Sequence, residues 1–369
     1  MADPRVEKLA EVIVSYSVAV RPGDKVVIEG DSLAEPLIKA VYVKALQAGG
    51  HPLMRVALPG MEDLLFKYAS NEQLQHVPEP LKLTTETYDV RIAIGGADNT
   101  RALTNVDPAR MVLHQQARSE LMKTFLRRSA AGELRWTYVV FPTNAYAQDA
   151  EMSLPDFEDF VFNACMPDMQ DPVSYWKKVA AQQEKLVAWL KGKKSVHVTA
   201  PGTDLTLRID DRPFKSCACE VNVPDGEVFT SPIENSANGN VYFSYPTNHL
   251  GTLVVGVRME FKDGKCIQAS AEKNEKYLNK MLDLDEGARF LGEFAIGTNE
   301  GITKATGQIL FDEKIGGSFH MALGNSYSET LGVNHSQIHW DMICDLKHGG
   351  QIHIDDQLVY QDGKFIIEF

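Results

Sequence analysis

Helical periods alternate with short apolar runs through the first half of the chain, and that alternation admits few architectures. Val6, Leu9, Ala10 and Ile13 recur at helical spacing, and Arg21-Pro22-Gly23-Asp24 then turns into an apolar strand from Lys25 to Glu29. A helix is expected from about Glu35 to Gln47, with Gly49 and Gly50 placed to end it. His51-Pro52 leads into a strand over Leu53 to Val56, and further strands are expected at Val90 to Ile94 and Thr137 to Phe141. Strand, helix and strand in succession predict a mostly parallel sheet flanked by helices.

Asp171-Pro172 supplies an N-cap and a first-turn proline, so a long helix is expected through Trp176, Val179, Leu186 and Leu190 to the lysines around Gly192. The texture changes there. Val196-His197-Val198, Leu205 to Ile209, Leu253 to Val257, Ile352-His353-Ile354 and Phe365-Ile366-Ile367 read as strands with short turns. Lys262-Asp263-Gly264-Lys265 and Gln361-Asp362-Gly363-Lys364 read as tight hairpin turns. One helix is expected from about Glu272 to Leu284 and a second just before Glu293. The expectation is an α/β domain over residues 1–192 and an α+β domain over residues 193–369 that carries the functional site. The 369 residues suffice for two such cores.

The net charge of −13 argues against nucleic acid, whose phosphates demand a basic footprint. Met1 to Arg5 lacks the apolar core of a secretion signal and no run is long enough to span a membrane, so no membrane association is expected. Cys165, Cys217, Cys219, Cys266 and Cys344 are too scattered for a disulfide framework, which points to the cytoplasm. Cys217-Ala218-Cys219 reads as two strand residues on one face, and Gly95-Gly96-Ala97-Asp98, lacking a phosphate-loop pattern, as a turn.

Two histidines and three carboxylates in the last part of the chain, with a tyrosine beside them, can make one metal site: Glu227, Glu293, His320, Tyr327, His339 and Asp341. The stretch Gln337 to Ile343 alternates and is rich in strand formers. Residues i and i+2 of a strand share a face, so His339 and Asp341 project together while Ile338, Trp340 and Met342 pack behind them. Residue types alone leave an ordinary polar face equally open.

The order of segments decides more. Glu227 stands in PDGEVFTSP, Glu293 in GEFAIGTN, His320 and Tyr327 in KIGGSFHMALGNSY, and His339 and Asp341 in HWD. Together with the opening stretch LAEVIVSYSVAVRPGDKVVIEG, these resemble the thermophilic-type dinuclear metalloaminopeptidases, the family of aminopeptidase T, aminopeptidase S and PepS. The segment between Tyr327 and His339 is shorter than in the best-known members.

The resemblance implies that all six residues form the metal site, holding two divalent ions per chain (Zn, Co or Mn), ions that suit oxygen and imidazole donors. One carboxylate would bridge the ions: Glu227 or Glu293, with Asp341 a third candidate. Such ions acidify a bound water, which attacks the first peptide carbonyl. Glu293 is expected to shuttle the proton, and Tyr327, if not itself a ligand, to donate a hydrogen bond to the oxyanion. The implied substrates are small peptides with a free N-terminus, and the implied assembly is a homodimer. The alternative is a mononuclear non-haem Fe(II) ring-cleaving dioxygenase using only His320, His339 and Asp341. A single iron has no use for Glu227 and Glu293, which favours the aminopeptidase.

Overall fold

The structure, a computed structural model, describes residues 3–369 and divides into two units. The first takes in residues 3–173 with Cys219–Val223; the second takes in Ser174–Ala218 with Pro224–Phe369.

In the first unit, β1 (Lys25–Asp31), β2 (His51–Ala57), β3 (Val90–Gly95) and β4 (Arg135–Val140) form a parallel sheet in the order β2-β1-β3-β4. Asn222–Val223 adds a fifth parallel strand beyond β4. Val26, Val27 and Ile28 are all buried, as befits a strand covered on both faces. The helix Glu35–Gln47 carries a proline in its first turn and ends before Gly49, whose φ of +82° suits glycine. Helices at Met61–Tyr68, Glu79–Thr87, Pro108–Ala117, Ser119–Ala130 and Leu154–Cys165 complete the α/β pattern. The first helix, Pro4–Glu11, runs into a π-helical turn at Val12–Ser17.

The second unit is built on antiparallel sheets. Eight strands form one: Lys265–Ser270, Val257–Lys262, Asn238–Phe243, Thr203–Arg208, Ser195–Ala200, Gln351–Ile354, Gln357–Gln361 and Lys364–Phe365, in that order. Five form another: His339–Asp345, Ser318–Gly324, Leu291–Gly297, Glu227–Thr230 and Lys215–Cys217. Val198, Leu205 and Phe243 of the first sheet and Phe294, Phe319, Met321, Trp340 and Met342 of the second belong to one apolar core. The two hairpin turns are as expected: Asp263 and Gly264, and Asp362 and Gly363, all have positive φ, the signature of a tight two-residue turn.

Three expectations differ from what is observed. The long helix, Pro172–Leu190, belongs with the second unit, because Leu186 and Leu190 enter its core; the division falls at Val173/Ser174 rather than near Gly192. The helix expected just before Glu293 is absent. Asp285 instead spends its oxygens on the backbone N–H of Gly287 and on Ser336 and Gln337, holding a turn. Cys217 and Cys219 do not share a strand face, since the strand stops at Cys217 and Cys219 has a φ of +70°. Among the described residues no helix is long and apolar enough to cross a membrane.

Candidate metal centre

The five-stranded sheet has one face in the core and another that gathers polar groups. Alternation does the sorting: Phe294, Phe319, Met321, Trp340 and Met342 point into the core, so Glu293, His320, His339 and Asp341 point the other way. Ladder register lines them up. Glu227 pairs with Gly297, His320 with Ala295, Glu293 and Asp341 with Ala322, and His339 with Gly324. Each polar side chain therefore has a glycine or alanine opposite it on a neighbouring strand, and the space above the sheet is left for the polar groups. Gly226, at φ +127°, swings the chain into the first of these strands; a Cβ there would lie 2.8 Å from Asn299 Cβ.

The five ionisable residues converge. His320 Nε2 lies 3.2 Å from Glu227 Oε2 and 3.6 Å from Glu293 Oε1. His339 Nε2 lies 3.2 Å from Glu293 Oε2 and 3.5 Å from Asp341 Oδ1. Tyr327, on the loop after the 318–324 strand, brings its hydroxyl to 3.4 Å from the same Nε2 and is 41% exposed, on the open side of the cluster. Its ring is held edge-on by Phe229 and His339. All six residues named from the sequence thus meet in one place.

Two groupings emerge, each with ligand atoms within 4.8 Å of one another: Glu227, Glu293 and His320, and Glu293, His339 and Asp341. Glu293 belongs to both. His339 Nδ1 donates to the Asn325 carbonyl at 2.8 Å, which fixes the tautomer and leaves Nε2 able to hold a metal. Glu227 Oε2, His320 Nδ1 and Asp341 Oδ1 are buried without a hydrogen-bond partner. The two orphaned carboxylate oxygens, each beside an imidazole Nε2, are what a divalent cation would satisfy, and the donor set of carboxylate and imidazole suits Zn, Co or Mn.

The protonation states fit the same reading. Burial pushes the His320 imidazole down, but the hydrogen bond to Glu293 and the charges of Glu227, Glu293 and Asp341 outweigh it and raise its pKa to about 9. Burial raises Asp341, but His339 more than offsets this and holds it at about 2. A metal must therefore displace the proton that His320 carries below pH 9 in the metal-free protein. We expect zinc affinity to rise between pH 6 and pH 9, by about tenfold per unit for each proton displaced, as read by competition with a chromophoric chelator. The metal-free fold should respond oppositely. A histidine pKa raised on folding contributes stability that is full below the unfolded value and lost as pH rises through about 9.

The sequence reading missed a second ring of groups. Glu313 brings a carboxylate within 4.8 Å of ligand atoms of His320 and Asp341. Burial lifts its pKa to about 8 against the pull of Lys314. Lys314, 1% exposed, lies between Glu227, Glu313 and Asp225. The signal was the Asp312-Glu313-Lys314 run beside a glycine pair, an unusual thing to bury. His335 has no place among these groups.

Comparisons with known proteins find relatives along nearly the whole chain. The family model described as thermophilic metalloprotease (M29) matches residues 2–365. Aminopeptidase T of Thermus thermophilus is 28% identical over 97% of this chain and 95% of its own length. Aminopeptidase PepS of Streptococcus thermophilus is 27% identical over 97% and 95%. The solved structure of wild-type aminopeptidase T from Thermus thermophilus superposes with a TM-score of 0.87 at 25% identity, covering 99% of both chains. A 2,5-dihydroxypyridine dioxygenase from Pseudomonas putida shares the fold at a TM-score of 0.61 and 14% identity, over 98% of this chain and 96% of its own. With its family model matched almost end to end, the chain belongs to the M29 thermophilic metalloproteases.

Proposed function

We infer that the centre works with two divalent cations and that Glu293 is the ligand they share. The protein is a metal-dependent aminopeptidase, as its family and its named relatives indicate. The observation that carries the two-metal reading is the placement of Glu293, whose Oε1 faces His320 and whose Oε2 faces His339. Glu227 and His320 would complete one position, and His339 and Asp341 the other.

Charge supports cation binding. Asp225, Glu227, Glu293, Glu313 and Asp341 are five largely buried carboxylates, and Lys314 is the cation packed among them. With Glu313 able to hold a proton near neutral pH, the other four carboxylates outnumber Lys314 by three, an excess of negative charge that cations would offset once the histidine proton is displaced. A buried charge left unpaired is costly, so this imbalance favours cations over a vacant cluster.

Bound there, the cations would supply an acidified water and polarise a peptide carbonyl. The chain's own residues set the rest. Glu293, expected from sequence both to ligate and to shuttle the proton, has each oxygen turned to a different histidine and suits the shared-ligand role. Glu313, held at about 8 by burial, is the carboxyl able to carry a proton near neutral pH. Tyr327, on the open side, has its hydroxyl placed to donate to an oxyanion. Peptides with a free N-terminus are the proposed substrates. The dioxygenase alternative needs His320, His339 and Asp341 around one ion, whereas the two histidines fall in separate groupings among the described residues.

The decisive assay is hydrolysis of leucine p-nitroanilide by chelator-stripped protein re-supplied with Zn, Co or Mn. Activity should return with about two ions per chain; silence in protein that has rebound two ions would overturn the reading. We also propose a homodimer in the cytoplasm. The cysteines are free thiols, which fits a reducing compartment. Edge strand β2 exposes Leu53, Met54 and Val56, an apolar edge that a second copy would cover. Sedimentation velocity should give twice the chain mass, and a monomer at micromolar concentration would refute the dimer.

A further inference from the structure

At the Glu227 end of the centre lies a further grouping that the two-metal reading does not use. Cys217, Asp225 and Glu227 have ligand atoms within 4.8 Å of one another. Cys217 is the ladder partner of Glu227, so the thiol and the carboxylate stand side by side on the same sheet face. A thiol with two carboxylates is a donor set that zinc or cobalt would accept. Lys314 reaches into it. Its Nζ contacts Glu227 Oε1, lies 3.6 Å from Asp225 Oδ1 and 2.6 Å from Glu313 Oε1, and the side chain is 1% exposed.

We propose that Lys314 is a fixed internal cation standing where a third metal would otherwise bind. Three consequences follow from the geometry and rest on the two-metal reading. The ammonium engages Glu227 Oε1, so Glu227 offers the metals only Oε2, the oxygen that faces His320. An ammonium cannot ligate a cation, so metal is confined to the two histidine-bearing positions. Cys217 is thereby kept out of metal ligation, and the centre retains the oxygen and imidazole donors that leave its ions strongly Lewis-acidic. Lys314 is in this sense a positioning and selectivity residue, acting through Glu227 and Asp225.

Cobalt titration of the whole chain tests this, because thiolate bound to Co(II) gives an intense near-ultraviolet charge-transfer band that oxygen and imidazole donors do not. Wild type should take two Co(II) per chain without that band. Lys314→Ala should take a third, gaining the band as the thiol releases its proton. Lys314→Ala combined with Cys217→Ser should lose the band again. If Lys314→Ala does not fold, as judged by circular dichroism, Lys314→Gln keeps the stem while removing the charge and is read in the same way. A thiolate band in the wild type, or a folded Lys314 variant with two cobalts and no band, would overturn the proposal. A wild-type stoichiometry other than two would instead overturn the two-metal reading, and the difference in thiolate band between wild type and variant judges Lys314 separately.

Discussion

Glu293→Gln is expected to lower turnover at least a thousandfold while leaving the protein folded. The carboxylate sits on a strand whose every residue is buried and whose neighbours on both sides are ladder-paired, so replacing one oxygen by an isosteric amide does not disturb packing. The loss falls on the metals. Glu293 is the side chain common to both groupings, and an amide offers one acceptor where the carboxylate offered two and removes a negative charge from between them. Metal analysis after dialysis should find fewer than two ions per chain, and circular dichroism should match wild type. A variant that keeps near-wild-type activity would refute the shared-ligand role. The same change at a residue that merely lines the cluster would leave stoichiometry intact.

Tyr327→Phe should reduce kcat about a hundredfold with KM altered only a few-fold, as loss of one oxyanion donor typically costs about that much in rate. The ring has structural work that phenylalanine can do equally well, its edge-on contacts with Phe229 and His339. What phenylalanine lacks is the hydroxyl, which lies 3.4 Å from His339 Nε2 on the open side of the cluster. Steady-state kinetics on leucine p-nitroanilide with fully metal-loaded protein separates the two parameters. Equal losses in kcat and in substrate binding would contradict an oxyanion role, and a fall in metal content would make Tyr327 a ligand instead.

Local rules carried only part of this centre, and the set of six residues came from the order of segments that resembles the family. His339 and Asp341 share a face by strand periodicity alone, and the strand His339–Asp345 lies within two residues of where alternation placed it. The helix Glu35–Gln47 and the Asp-Gly hairpins were announced by proline and glycine chemistry. The helix Pro108–Ala117 had an equally good cue in Asp107-Pro108, yet it buries no residue fully and so shows no strong apolar stripe. Glu313 and Lys314 were invisible for another reason. Lys314's partners Asp225 and Glu227 lie nearly ninety residues earlier, and only the tertiary fold brings them together. Charge pairs of that kind have no period.

The five residues Cys219–Val223 change what a fragment of this protein can be. The chain leaves the antiparallel unit after Ala218, lays Asn222–Val223 beside β4, and returns at Pro224, one residue before Asp225. Neither unit is therefore a contiguous stretch of sequence. A truncation at residue 173 or 192 would strip the parallel sheet of its outermost strand, baring the backbone of Tyr138 and Val139 as an edge open to mispairing. The complementary piece would begin without its opposite number and carry a loose five-residue loop immediately upstream of a centre ligand. The chain passes between the two units more than once, and its metal-bearing half is to be studied only with the other half attached.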